Sequence, residues 1–173
     1  MQEAHSLRFR AICLMDDGNM DLAEQDLKKA MANAQRLEKK NLLMEVHAAL
    51  GTLYKDQGRL EESVVTHEAG IKTCREAGSR RGESILMGNL ALILQLQGKS
   101  EEARQLYEDT VRLDDTSGRS FIGHMALGNL GDLLLSQGKL EESCSHLMEV
   151  IDSVDAIRPS MAGAFRGSLA WAR

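Results

Sequence analysis

Aromatic residues make up only 3% of the chain, and there is one proline, Pro159. That scarcity argues against a β-sandwich or barrel, which draws on aromatic and β-branched residues, and leaves helices unbroken along most of the sequence. Positive charge is not in excess: 21 Lys and Arg stand against 26 Asp and Glu, for a net −5. No overall field would attract nucleic acid or an anionic membrane, so neither is expected as a partner. No apolar run is longer than Leu90 to Leu94, far short of a membrane span. Residues 1–10 contain Glu3, His5, Arg8 and Arg10 and lack the apolar stretch of a secretory signal. Cys13, Cys74 and Cys144 are an odd number at wide spacing without a CxxC. Reduced thiols in a cytoplasmic protein fit that pattern better than a disulfide framework. What is present is a 43% hydrophobic fraction over 173 residues, enough to supply a core and to exclude global disorder.

The informative feature is a ladder of glycines. Gly18, Gly58, Gly98 and Gly138 are each 40 residues apart. Leu50–Ser63 laid over Leu130–Ser143 gives nine identities in fourteen positions, and Leu90–Ala103 shares seven with the latter. A second ladder, Gly78 and Gly118, falls twenty residues after the first. A fixed period of this length marks a solenoid of stacked units. Each unit reads as two amphipathic helices reversing at a glycine that tolerates positive φ. The spacing predicts helices over roughly 3–17, 20–38, 41–57, 60–77, 81–97, 100–114, 119–137, 140–155 and 160–173. Glu61-Glu62, Glu101-Glu102 and Glu141-Glu142 open second helices, where the macrodipole favours acid. Leu27, Ala30, Met31 and Ala34, and likewise Leu147, Val150, Ile151 and Val154, form core-facing stripes at helical spacing.

These residues resemble the tetratricopeptide repeat. Leu50-Gly51-x2-Tyr54 matches its L-G-x2-Y element, and Ala103-x3-Tyr107 matches A-x3-F with tyrosine for phenylalanine. Gly131, Ala91 and Ala11 take the small-residue place of Gly51, and Ser63, Ser143 and Ala23 that of Ala103. Small side chains suit a close helix crossing. Two features depart from the pattern: a period of 40 rather than 34, and Arg10 where later repeats carry leucine. The longer period, with Gly88-Asn89-Leu90 and Gly128-Asn129-Leu130, is similar to the subclass of kinesin light chain, Pins-type adaptors and the sensor regions of bacterial regulators. The resemblance implies an all-α, right-handed α-solenoid of antiparallel helix pairs. It also implies a concave groove, lined by first helices, that binds a peptide or helical segment of a protein partner. The expected organisation is one domain over 1–173, with repeats near 4–43, 44–83, 84–123 and 124–162 and a partial fifth over 163–173.

In that register the groove-facing residues include Arg8, Thr52, Lys55, Gly88, Asn89, Leu92, Leu96, Gly128, Asn129, Asp132 and Leu135. The lysine and asparagine clamp of chaperone-binding relatives is missing, its places holding Arg8/Ile12, Ala48/Thr52, Gly88/Leu92 and Gly128/Asp132. Asn89 and Asn129 carry amides that either bond an extended peptide backbone or tie neighbouring helices together. Gly88 and Gly128 beside them would let a ligand approach closely. Leu92, Leu96 and Leu135 are either packing between first helices or an apolar stripe for a partner's helix. The five histidines are scattered, and none forms HExxH or a ligand pair with a nearby cysteine. Arg75, Arg80 and Arg81 surround a turn without interleaved aromatics and read as a solvated loop. No active site, metal or cofactor is read, and the alternative function is a ligand-sensing regulatory domain of a larger signalling protein. Finally, Gly167-Ser168-Leu169 aligns with Gly128-Asn129-Leu130, so a further repeat begins near Pro159. Phe165, Leu169 and Trp171 there are not a polar cap. The expectation is a fragment of a longer array or a protomer that covers this end by self-association.

Overall fold

A computed structural model describes residues 2–115, 121–155 and 159–172. Helices occupy nearly all of them, in the order α1 (Gln2–Asp16), α2 (Met20–Arg36), α3 (Lys40–Asp56), α4 (Leu60–Glu76), α5 (Arg80–Leu96), α6 (Ser100–Asp115), α7 (Phe121–Ser136), α8 (Leu140–Val154) and α9 (Pro159–Ala172). Each lies within two residues of the range that the glycine ladder predicts. The exceptions to note are at turns. Gly18, Gly58, Gly78, Gly98 and Gly138 all have φ between +67° and +78°, whereas Gly118 falls outside the described residues. Sequence periodicity misses one position: Glu38, forty residues before Gly78, adopts the same left-handed conformation at φ 51° with a side chain attached. The turn geometry is common to both residue types. At Gly58, for example, Gly58 N–H bonds Lys55 C=O at 2.9 Å and Arg59 N–H bonds Tyr54 C=O at 2.8 Å, closing the helix C-terminus.

The chain divides into two compact units, Met1–Ile93 and Leu94–Arg173. In the first, α1 pairs with α2 and α3 with α4, and α3 also packs on α2 and α1. Its core runs through Ala11, Ala23, Leu27, Ala30, Ala34, Val46, Leu50, Leu53 and Tyr54. In the second, α7 pairs with α8, α6 packs on α7, and α9 lies on α8 and α7. Its core is built on Tyr107, Leu133, Leu134, Leu147, Val150 and Phe165. Leu147, Val150 and Ile151 of the predicted α8 stripe are buried, while the Val154 side chain lies outside the described residues.

The small-residue positions do what close crossing requires. A Cβ added at Gly51 would overlap the His67 ring, and one at Gly131 would come within 2.9 Å of Leu147 Cδ2. At both crossings the partner serine hydroxyl donates across the interface, Ser63 Oγ to Gly51 C=O at 2.6 Å and Ser143 Oγ to Gly131 C=O at 2.8 Å. Ala11, Ala23, Ala91 and Ala103 have no exposed surface. Arg10, the departure in the first repeat, has a structural answer. Its Nε and one terminal nitrogen reach the Asp26 carboxylate at 2.5 and 2.6 Å, and Asp26 is only 3% exposed. The guanidinium holds the Asp26 carboxyl below its ordinary range.

Candidate functional site

In the first unit, the first helices of successive repeats leave a trough. Between α1 and α3 is a cavity of about 510 Å³ lined by Arg8, Ile12, Met15, Asp16, Glu45, Ala48, Ala49, Thr52 and Asp56. A second, of about 360 Å³, is lined by α3 and α5 residues including Glu45, Ala48, Arg81, Ile85 and Leu86. Glu45 and Ala48 border both, so the two spaces adjoin. Ala48 and Ala49 keep the floor low, which is why space remains there. Both volumes fall within the range usual for ligand-binding clefts.

Arg8 forms one wall. Its side chain is 15% exposed, and Nε stands 3.1 Å from Glu45 Oε2. The N–H does not point along a hydrogen-bond line, so Nε is buried and unsatisfied. The guanidinium carbon also sits 4.4 Å from the centre of the Phe9 ring, a cation–π contact. Thr52 donates to Ala48 C=O at 3.0 Å, within its own helix. Lys55 Nζ pairs with Asp56 Oδ1 at 2.7 Å beside the cavity. Arg8 and Thr52 therefore line one cavity, with Lys55 at its border.

Asn89 and Leu92 of α5, and Asn129 and Leu135 of α7, are half-buried, and Leu96 is exposed. Neither Asn89 nor Asn129 makes a side-chain hydrogen bond among the described residues. Gly88 is half-buried as well. Gly128 requires a correction: its bare backbone is not open to a ligand, because the Phe165 ring of α9 fills the space a Cβ would occupy. Phe165 is 4% exposed there. Asp132, one turn further along α7, takes a hydrogen bond from Ser168 of α9, and burial pushes its carboxyl above the ordinary range. Its Oδ1 is left buried without a partner.

Two polar features of the first unit escape the motif reading. His67 and His47 are buried and face the two glycines of the α3–α4 crossing, His67 against Gly51 and His47 against Gly70. His67 Nδ1 lies 2.9 Å from Ser63 C=O, while His67 Nε2 and His47 Nδ1 have no partner. Burial lowers the pKa of both rings. The other feature is a rivet across α2, α3 and the Gly58 turn. Arg59 bonds Glu24 at 2.7 Å and Glu62 at 2.6 Å, and stacks 4.2 Å from the Tyr54 ring, whose hydroxyl donates to Glu24 at 3.1 Å. Arg59 draws the Glu24 carboxyl down to about 2. The Tyr54 of L-G-x2-Y signals this cluster, but Glu24 and Arg59 carry no periodic mark. Among the described residues, no group of three or more His, Cys, Asp or Glu could hold a metal ion, and no helix is long and apolar enough to cross a membrane.

Tetratricopeptide-repeat family models match residues 2–76, 44–116 and 126–153. The chain belongs to the tetratricopeptide-repeat family. Solved structures carry the same fold. The kinesin light chain of Podosopora anserina, with its nearly identical TPR-like repeats, is 18% identical with a TM-score of 0.79, over 97% of this chain and 84% of that one. The signal transduction ATPase with a tetratricopeptide-repeat sensor from Pyrococcus horikoshii is 15% identical with a TM-score of 0.86, over 96% of this chain and 26% of that one. NprR in complex with its cognate peptide NprX is 17% identical with a TM-score of 0.73, over 89% of this chain and 45% of that one. This chain thus spans about a quarter of the sensor ATPase and under half of NprR. No curated protein matches it. The fold is the all-α tetratricopeptide type, one typical of protein-interaction modules.

Proposed function

We propose that this protein is an interaction scaffold whose first-helix face captures a peptide or helical segment of a protein partner. The observation that carries this reading is the trough of the first unit, where two adjoining cavities lie between α1, α3 and α5 with an apolar floor. Arg8 and Thr52 belong to its walls, and Lys55, paired with Asp56, is assigned to its border. Asn89 and Asn129, whose amides hold no side-chain hydrogen bond among the described residues, are the groups assigned to a partner's backbone. Gly88, Leu92, Leu96, Asp132 and Leu135 are assigned supporting contacts. The likeness to NprR, which binds its peptide NprX, supports a peptide ligand. No catalytic role, nucleic acid or membrane enters this reading. A cytoplasmic setting accords with an odd number of widely spaced cysteines, Cys13, Cys74 and Cys144.

A second reading, a ligand-sensing domain that regulates an attached effector, is supported by the likeness to the sensor of the Pyrococcus ATPase. The test of the first reading is the double variant Asn89→Ala/Asn129→Ala, compared with wild type in pull-downs from native extract and in thermal melts. Partner capture should weaken while the melting temperature hardly moves. Intact capture with lost stability would instead assign both amides to the helix stack, since an orphaned buried group costs about 1–3 kcal/mol.

A further inference from the structure

The lining of the α1–α3 cavity is chemically one-sided, and this narrows the partner. Its floor is apolar: Ile12, Met15, Ala48 and Ala49. Its ionisable groups are three carboxylates, Asp16, Glu45 and Asp56, against a single guanidinium, Arg8. Arg8 faces Glu45 and is mostly buried, whereas the Glu45 side chain is 48% exposed. Asp56 shares Lys55, which stands outside the lining, and is 37% exposed. Asp16 is exposed and pairs with no cation among the described residues. A ligand entering from solvent therefore meets carboxylates at the rim before it reaches the apolar floor. The one cation is recessed behind Glu45.

We infer that this cavity takes an apolar side chain carried on a segment flanked by lysine or arginine. The inference rests on the groove reading above and names the partner's chemistry. An unbranched or γ-branched side chain such as methionine or leucine suits the Ile12 and Met15 floor, because methionine adapts its shape to what it meets. The flanking cations lie where Asp16 and Asp56 can reach them, and an acidic segment meets like charge at both places. Discrimination of this kind comes as much from the repelled partner as from the favoured one. It also depends on ionic strength, because the rim charges are solvated.

The test uses three fluorescein-labelled twelve-residue peptides, each with a central leucine–methionine pair and flanked by lysine, glutamine or glutamate. Fluorescence polarisation reads their binding to the full chain at low and at physiological salt. The lysine peptide should bind about tenfold more tightly than the glutamate peptide at low salt, with the gap narrowing as salt rises. Asp16→Asn/Asp56→Asn should erase most of that gap without shifting the thermal midpoint, both residues being solvent-facing. Ile12→Asp should abolish binding of all three peptides. If the three bind alike, or the glutamate peptide binds best, and Ile12→Asp still abolishes binding, the charge inference is overturned while the groove reading stands. If no peptide binds the wild-type chain, both fall.

Discussion

Arg8 of α1 and Glu45 of α3 face each other across successive first helices, as do Gly128 of α7 and Phe165 of α9. Both pairs are 37 residues apart, and Arg8 and Gly128 occupy the same place three periods apart. In the first unit, an ion pair fills this place and a cavity of about 510 Å³ opens beside it. In the second, an aromatic ring is pressed onto a glycine, with Ser168 bonding Asp132 one turn further on. One frame thus supports two outcomes. Two long charged side chains, Arg8 mostly buried and Glu45 half-exposed, leave space beside them, whereas ring against backbone leaves no room. The difference separates a rung with open space beside it from one already occupied by the chain itself.

Breaking the filled rung should have the largest effect. Phe165→Ala removes a nearly buried ring whose space the Gly128 backbone cannot refill, and should cost about 3–5 kcal/mol in denaturant unfolding of the second unit. A loss below 1 kcal/mol would mean that α9 does not depend on the ring. Next comes the crossing beneath it. Gly131→Leu places a side chain where even a Cβ comes within 2.9 Å of Leu147, and overpacking of this kind costs about 1–3 kcal/mol. An unchanged midpoint in a thermal melt would refute the crossing.

Acid should separate the two units. His47 and His67 are buried with their pKa values lowered, so the folded first unit holds them neutral while the unfolded chain protonates them near their ordinary value. Burial is the first cause at both rings; the His67 ring adds to it at His47, and Lys55 adds to it at His67. Stability contributed by the neutral rings is complete above about pH 6.5 and falls as pH drops below it. Hydrogen exchange at pH 7.5 and 5.5 should show α3 and α4 losing protection relative to α7 and α8. Equal protection at both pH values would place the rings in contact with water. The smallest effect concerns the turn before α3. Glu38→Gly relieves a side chain held at φ 51° and should gain on the order of 1 kcal/mol, a little less after the added freedom of the unfolded chain.

The frame is legible in the sequence because it rests on local signals. Glycines every forty residues fix the turns, and small residues at positions such as 51 and 131 fix the crossings. The site is less legible because its contents are set by pairs distant in sequence. Gly128 reads as an opening until Phe165 is placed over it. Arg8 reads as a groove residue, but the sequence does not show that Glu45 covers it and that Asp16 remains unpaired. His47 and His67 look like scattered histidines until the α3–α4 crossing brings each against a glycine. Glu38 did carry a signal, since it stands one period before Gly78, but a glutamate does not advertise a positive φ.

The Arg10–Asp26 pair has a consequence for the route by which this repeat could come to match its siblings. Asp26 is buried and Arg10 is largely in solvent. Replacing Arg10 first, with the leucine found at positions 50, 90 and 130, strands a carboxylate in the core, where an uncompensated charge is strongly destabilising. Replacing Asp26 first, with the threonine found at position 66, releases only an arginine that water already solvates. Two substitutions with the same end point therefore pass through intermediates of very different fitness for folding, and burial alone sets the order in which they can be made.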